Sequence, residues 1–217
     1  DMDDPYITYE PKYMETVWWL LKQIYDKGLL YKGYTIQPYS PKAGTGLSSH
    51  ELNQPGTYQD VTDTTVVAQF KAETETLPDF LQGLGIIHFL AWTTTPWTLP
   101  SNTALTVGAK IDYVLVKTYN QYTFEPITVV LAKNLVTKQF SGKFVEAEDV
   151  EELKNYSEAD KKIPYSILKE FRGADLVGIR YEQLLPYALP NDNPENAFRI
   201  IAGDFVTTED GTGIVHT

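Results

Sequence analysis

Short runs of β-branched and aromatic residues, separated by Gly, Pro and Asn, dominate the sequence from Tyr58 onward. Apolar residues alternate at Val66, Ala68 and Phe70, which is the period of a strand with one buried face. Continuous runs of similar composition occupy residues 86–93, 113–117 and 127–131. An aromatic content of 13% also favours strands. These features predict a β-rich chain, mainly a β barrel with peripheral helices.

The first quarter of the chain has a different pattern. Apolar residues recur at helical spacing over residues 13–27, and Gly28 stands where a C-terminal cap belongs. Residues 29–52 are rich in Gly, Pro, Ser and Tyr, which predicts short extended pieces and turns. We therefore predict a helical and extended connecting segment over residues 1–57 and one β-rich domain over residues 58–217.

Two further local patterns give definite expectations. Helical interruptions are predicted near residues 133–140 and between residues 150 and 171, where Lys and Glu are frequent. Asp210-Gly211 lies between apolar runs at residues 198–206 and 214–216, which is a strong hairpin signal. The two runs are therefore expected to pair with each other.

Composition excludes several kinds of chemistry. The chain has no cysteine, so it cannot form a disulfide, a thiolate nucleophile or an iron–sulfur site. Its three histidines are scattered, which gives no support to a metal site. We expect His50 on the surface and His88 as a hydrogen-bonded core residue. The longest mainly apolar stretch, residues 84–92, is far shorter than the roughly 20 residues that a membrane span requires.

The densest polar cluster directly follows the apolar run that begins at residue 86. Its candidate site residues are Trp92, Thr93, Thr94, Thr95, Thr98 and Asn102. Pro96 and Pro100 interrupt ladder pairing, which leaves backbone groups available to a ligand. Hydroxyls, an amide and indoles form a neutral hydrogen-bonding wall that suits a small uncharged or zwitterionic group attached to a nucleobase. The alternative is an ordinary edge strand, in which Thr and Trp are common.

A second cluster lies near residue 217 and comprises Gly211, Thr212, Gly213 and His216. The glycines permit close approach of the backbone to a ligand, and His216 falls on the same strand face as Ile214. No Lys follows and no helix begins here, so a phosphate-binding loop is disfavoured. The alternative is a hairpin turn with a hydrogen-bonded histidine.

Both clusters resemble known signatures. Residues 92–102 resemble the threonine-rich signature of the editing domain (CP1) inserted in isoleucyl-tRNA synthetases, which are class I enzymes, and residues 211–216 resemble the first half of its second signature. Residues 3–49 and 171–181 are also similar to family stretches. The related valyl and leucyl enzymes have Thr-Thr-Arg-Pro where this chain has Thr94-Thr95-Pro96-Trp97. The resemblance is therefore specific to the isoleucyl family.

The resemblance implies a function in proofreading. It implies hydrolysis of the ester in misacylated Val-tRNA(Ile), with Thr94, Thr95 and His216 in catalytic positions and His216 limiting side-chain size. It further implies substrate binding by Trp92, Thr93, Thr98, Asn102, Gly211, Thr212 and Gly213. No metal or cofactor is expected for editing, while ATP and Mg belong to the catalytic domain of the parent enzyme and zinc is left open elsewhere in it.

The implied partners are the valine-bearing 3′ end of tRNA(Ile) and the rest of the synthetase, in a monomeric, cytoplasmic enzyme without membrane attachment. A net charge of −11 argues against a free-standing nucleic-acid binder, so the parent is expected to hold the tRNA body. In the family, an aspartate that anchors the substrate's ammonium group follows the second signature, beyond Thr217. A binding-only fragment is therefore one alternative function, and a β-barrel carbohydrate or peptide binder is another.

Overall fold

The computed structural model describes residues 5–217, and residues 1–4 of the predicted connecting segment lie outside the described part. The chain divides into two compact units with a boundary between Val61 and Thr62. No helix among the described residues is long and apolar enough to cross a lipid bilayer.

The first unit contains one long helix, α1 (Pro11–Asp26), which confirms the helix predicted from apolar spacing. Gly28 lies two residues after its end with a positive φ of 70°, and its N–H donates to the carbonyl of Tyr25 at 2.8 Å. A two-stranded ladder of β1 (Tyr39–Ser40) and β2 (Thr45–Gly46) follows, as expected for short extended pieces. The short helix α2 (Ser49–Leu52) then begins at a capping box formed by Ser48 and Glu51.

The second unit is rich in strands. Its regular elements are β3 (Val66–Lys71), β4 (Ile87–Thr93), β5 (Ala104–Val107), β6 (Asp112–Tyr119), β7 (Pro126–Ala132), α3 (Val136–Gln139), β8 (Phe144–Glu146), β9 (Ile163–Arg172), β10 (Arg199–Ala202) and β11 (Ile214–His216). Short 3₁₀ segments occupy Thr74–Thr76, Asp79–Leu81, Pro96–Ser101, Lys133–Leu135, Val150–Asn155, Gly173–Leu176 and Pro194–Asn196.

These strands form two sheets. Six strands follow the order β3-β4-β7-β6-β9-β8, and three follow the order β10-β5-β11. The β-rich fold with peripheral helices is thereby confirmed. Within the described residues the ladders remain two open sheets and do not close into one barrel.

Successive side chains of β4 point to opposite faces of the sheet, and both faces are packed, which explains how the end of β4 is held in place. Phe89 and Ala91 on one face belong to the main core, while Leu90 on the other face packs in a smaller cluster with Val129. Phe89 is also opposite Val130 in the parallel pairing of β4 with β7. Because β4 is covered on both faces, Thr93 at its end has a fixed position.

The predicted helix between residues 150 and 171 is largely wrong. Only the 3₁₀ segment Val150–Asn155 is helical there, and the ten residues of β9 form a strand. Ile163, Tyr165 and Phe171 are buried. β9 pairs with β6 on one side and β8 on the other, so ladder hydrogen bonds override the weak helical preference of its Lys and Glu residues. The helical segment predicted over residues 133–140 is confirmed.

The predicted hairpin at Asp210-Gly211 is also wrong. β10 and β11 do not pair with each other, because β5 lies between them, parallel to β10 and antiparallel to β11. The four residues of β5, which follow closely after the threonine-rich cluster, were not predicted as a strand.

The histidines outside the second cluster differ in their surroundings. His50 is exposed, as predicted. His88 is half-buried, and its Nδ1 has no hydrogen-bond partner within residues 5–217, so the predicted hydrogen-bonded core histidine is wrong for that atom. Burial lowers the pKa of His88.

Candidate functional site

The end of β4 and strand β11 meet at His216. Its Nε2 lies 3.2 Å from Thr93 Oγ1 and 3.3 Å from Thr98 Oγ1. These contacts join residues that are 123 and 118 positions apart in the chain. The two clusters that the sequence analysis singled out therefore belong to one site.

The threonines of the first cluster form their own hydrogen-bond network. Thr95 donates its backbone N–H to Thr93 Oγ1 at 3.0 Å, and Thr98 Oγ1 donates to the carbonyl of Thr95 at 2.7 Å. The hydroxyls of Thr95 and Thr98 are 3.3 Å apart. Pro96 begins a 3₁₀ segment here, so the chain turns back and places these side chains around one point.

The protonation of His216 is affected by its burial. Partial burial without a nearby anion lowers its pKa, because a desolvated imidazolium is disfavoured. Its Nδ1 is buried and has no hydrogen-bond partner within the described chain. The Nε2 atom can donate or accept, and so can the two hydroxyls that face it. The site thus combines hydroxyls with an imidazole whose charged form is disfavoured by burial.

A cavity of about 300 Å³ adjoins this network, at the lower end of the usual size for small-ligand pockets. Its lining residues are Trp92, Thr93, Thr94, Phe205, Thr207, Asp210, Gly211, Thr212, Gly213, Ile214, Val215 and His216. Seven of the ten site residues predicted from the sequence line it, whereas Thr95, Thr98 and Asn102 do not. Thr94 is exposed and its hydroxyl makes no hydrogen bond within residues 5–217, so this hydroxyl is available to a ligand.

Phe205 and Thr207 are lining residues that the sequence analysis missed. Phe205 is 65% exposed although it is a large aromatic residue. It falls at the end of an apolar run that was assigned to a strand, which ends instead at Ala202. The only available signal was the turn pair Gly203-Asp204 just before it.

The two glycines of the second cluster bring the backbone close to neighbouring residues. Gly211 has a φ of 75°, and a Cβ there would lie 3.0 Å from Cε3 of Trp92. Gly213 has a φ of 72°, and a Cβ there would lie 2.4 Å from the Cβ of Ala132. The carbonyl of Gly213 also accepts a hydrogen bond from the buried hydroxyl of Tyr113 at 2.5 Å. Glycine is therefore required here by both conformation and space.

Asn102 is a buried residue that connects strands. Its Oδ1 accepts a hydrogen bond from the hydroxyl of Tyr181 at 2.6 Å. Its Nδ2 donates to the carbonyls of Ala104 at 2.8 Å and Thr217 at 3.3 Å. These contacts position β5 beside the chain that follows β11, and the predicted contact of Asn102 with a substrate remains a prediction.

Within the described residues, no three His, Asp or Glu side chains are grouped closely enough to hold a metal ion. Asp210 is the one carboxylate among the cavity-lining residues, and it pairs with Lys138. The polar chemistry of the cavity therefore depends on hydroxyls, backbone groups and His216.

Comparison with known proteins assigns the chain to a family. The family model described as tRNA synthetases class I (I, L, M and V) matches residues 1–197. The chain belongs to the class I tRNA synthetases. The isoleucine–tRNA ligase of Bacteroides fragilis is 63% identical over 216 residues, which cover 100% of this chain and 18% of that protein.

Other isoleucine–tRNA ligases also align with the whole chain. The isoleucine–tRNA ligase of Cytophaga hutchinsonii is 62% identical over 216 residues, and that of Clostridium tetani is 45% identical over 217 residues. Each alignment covers 100% of this class I synthetase chain and 18% or 17% of the relative. The chain thus spans less than a fifth of the length of these relatives.

Solved structures related to this class I synthetase chain are similar at low sequence identity. The editing domain of the P. knowlesi cytosolic leucyl-tRNA synthetase is 13% identical, with a TM-score of 0.48, and the similarity covers 70% of this chain and 56% of that chain. A structure described as GlLeuRS-CP1 is 14% identical, with a TM-score of 0.45, covering 71% of this chain and 54% of that chain.

Proposed function

We propose that this chain is the editing domain of an isoleucine–tRNA ligase and that it hydrolyses the ester of Val-tRNA(Ile). The relatives that match it along its whole length carry the name isoleucine–tRNA ligase. The observation that carries the proposal is the contact of His216 Nε2 with Thr93 and Thr98, beside a cavity lined by both signature segments.

The polar groups of the cavity suit hydrolysis of an activated ester. A water oxygen adds to the ester carbonyl carbon, the bond to the ribose oxygen breaks, and that oxygen takes up a proton. This reaction requires an oriented water and donors for the developing oxyanion. The free hydroxyl of Thr94 and the hydroxyls around His216 are of the type that can orient the ester and the water.

Selection by size explains why such a domain is needed. Isoleucine and valine are the standard example of the limit on pocket selectivity, since one methylene supplies only about 1–3 kcal/mol of discrimination. A second and smaller site can hydrolyse the valyl ester and exclude the isoleucyl ester. We assign His216 to the wall that excludes the larger side chain, because it is half-buried, lines the cavity and is positioned by its contact with Thr93.

The remaining partners follow from the proposed parent enzyme. The 3′ end of tRNA(Ile) bearing valine is the proposed substrate, and the rest of the ligase would hold the tRNA body. ATP and Mg would act in the catalytic domain of the parent. Within this chain, the groups that would take part in ester hydrolysis are hydroxyls, backbone groups and His216.

A chimeric ligase provides the test. In it, this chain replaces the matching 216-residue segment of the Bacteroides fragilis isoleucine–tRNA ligase. We expect the chimeric ligase to deacylate Val-tRNA(Ile), and we expect Thr95→Arg to lower that rate about 100-fold, because the bulky cation disrupts the network that positions Thr93 and Thr98. The measurement is release of labelled valine under single-turnover conditions.

Thr123→Arg serves as the matched control, since Thr123 is exposed in the turn between β6 and β7. It should leave deacylation unchanged, and both variants should still charge tRNA with isoleucine. Equal deacylation by the Thr95→Arg variant and the unsubstituted ligase would contradict the assignment of the site.

A further inference from the structure

One wall of the cavity is an irregular segment between β10 and β11, residues 203–213. Its ends are fixed by backbone hydrogen bonds, from Gly203 N–H to the carbonyl of Val107 at 3.0 Å and from Ala132 N–H to the carbonyl of Thr212 at 2.8 Å. Phe205, Thr207 and Asp210 between these ends are exposed cavity-lining residues. Val206 is buried and anchors the first part of this wall, so residues 207–210 are the part that depends on other contacts for its position.

One side chain from the 3₁₀ segment Lys133–Leu135 and one from α3, which both follow β7, provide those contacts. Asn134 Nδ2 donates to Thr208 Oγ1 at 2.8 Å. Lys138 Nζ forms an ion pair with the carboxylate of Asp210 and lies 3.4 Å from the carbonyl oxygen of Glu209. Three consecutive wall residues, 208–210, are thus held by two side chains of one short segment.

The segment that carries these side chains is itself well anchored. Leu135 and Val136 lie between Asn134 and Lys138 and are each only 3% exposed. Leu135 belongs to the main core and Val136 to the smaller cluster on the other face of the sheet. Asn134 and Lys138 therefore project from a fixed base toward a wall that has little regular structure of its own.

We propose that Asn134 and Lys138 are positioning residues that hold residues 208–211 against Trp92 and thereby set the width of the cavity. Neither residue lines the cavity, so they act through the wall. The close approach of Gly211 to Trp92 makes the width sensitive to small movements of this wall. The consequence for substrate binding rests on the proposed ester-hydrolase function.

The contacts are of a kind that affects local order more than global stability. The side chains of Lys138 and Asp210 are 58% and 69% exposed, and exposed ion pairs contribute little to the free energy of unfolding. A loosened wall changes how well the substrate is held before the reaction, so the expected kinetic effect is on KM.

The test uses the chimeric ligase with Lys138→Ala and, separately, Asn134→Ala. Amide hydrogen exchange of residues 206–211 should become faster in both variants. The KM for Val-tRNA(Ile) deacylation should rise about two- to fivefold with kcat unchanged, which is the range for loss of one exposed polar contact. Lys138→Arg should restore exchange and KM, because a guanidinium can also pair with the Asp210 carboxylate.

Lys133→Ala is the matched control. Lys133 is close by in the chain and carries the same charge, but its ammonium pairs with Glu170 at 2.6 Å and not with a wall residue. It should leave both measurements unchanged. An equal rise in KM for Lys133→Ala and Lys138→Ala would indicate a charge effect on tRNA binding and overturn the proposal.

Hydrogen exchange separates this proposal from the proposed function. Unchanged exchange in the Lys138→Ala and Asn134→Ala variants would overturn the positioning role, even if the ligase edits. Faster exchange together with an unchanged KM would overturn the role in setting the cavity width. If the unsubstituted ligase does not hydrolyse Val-tRNA(Ile) while exchange responds as expected, the proposed function fails and the wall contacts stand.

Discussion

At the scale of single residues, His216 is the side chain on which the site depends. It lines the cavity and joins the second cluster to the threonine network through Thr93 and Thr98. Burial lowers its pKa and so favours the neutral ring, which can still form hydrogen bonds with the hydroxyls that face it. We therefore expect its shape to determine which acyl group enters.

Replacing His216 by Ala in the chimeric ligase removes that wall. We expect the variant to hydrolyse correctly charged Ile-tRNA(Ile) at least about tenfold faster than the unsubstituted ligase, since the space released is larger than the methylene that separates the two amino acids. The measurement compares deacylation rates for Ile-tRNA(Ile) and Val-tRNA(Ile).

His216→Gln is the control for this prediction, because glutamine keeps a side chain of similar length and a polar end. It should retain most of the discrimination. If the Ala variant still rejects the isoleucyl ester, His216 does not act in the size selection.

At the scale of elements, the positions of several strands and the two polar clusters of the site could be predicted from the sequence, but which strands pair with each other could not. Alternation identified β3, and continuous apolar runs identified β4, β6 and β7. The hairpin signal at Asp210-Gly211 misled because β5, a four-residue strand distant in sequence, pairs with both β10 and β11. Local turn propensity cannot show such a long-range insertion.

The same limit applies to the site. The threonines and His216 belong to polar clusters that can be recognised in the sequence. Phe205 and Thr207 line the cavity only because β10 ends at Ala202 and the chain then turns. The supporting residues Asn134 and Lys138 give no signal in the sequence, since a surface Asn and Lys are common in any short helical turn.

The Gly213 turn is the element whose geometry most constrains the second cluster. Gly213→Ala should lower the free energy of unfolding by about 1–3 kcal/mol from the positive φ alone, with a further cost from the contact with Ala132. We also expect slower Val-tRNA(Ile) deacylation, because the turn must shift. Urea unfolding of the chain and deacylation by the chimeric ligase measure the two effects.

Gly142→Ala is the matched control for the turn. Gly142 has a φ of 64° and open space where a Cβ would be, so it shares the conformational cost and lacks the contact. It should be the less destabilising of the two substitutions and should leave deacylation unchanged. Equal destabilisation by both would show that the contact with Ala132 relaxes without cost.

At the scale of the whole molecule, charge and length define what the chain can do by itself. A net charge of −11 does not favour contact with a polyanion, and the chain spans 18% of the Bacteroides fragilis ligase. The negative net charge is compatible with the proposed function, because only the terminal nucleotide and its ester must enter the cavity. The tRNA body would be bound by other parts of the ligase.

The central claim is that this chain hydrolyses the valyl ester and spares the isoleucyl ester. The most direct measurement is the ratio of single-turnover deacylation rates for Val-tRNA(Ile) and Ile-tRNA(Ile) with the chimeric ligase. We predict that the ratio exceeds about 10, the lower limit expected when one methylene is excluded by a close-fitting wall. Equal deacylation rates for the two substrates would contradict the account. Binding of both substrates with no hydrolysis of either would also contradict it and would favour a module that only binds the tRNA end.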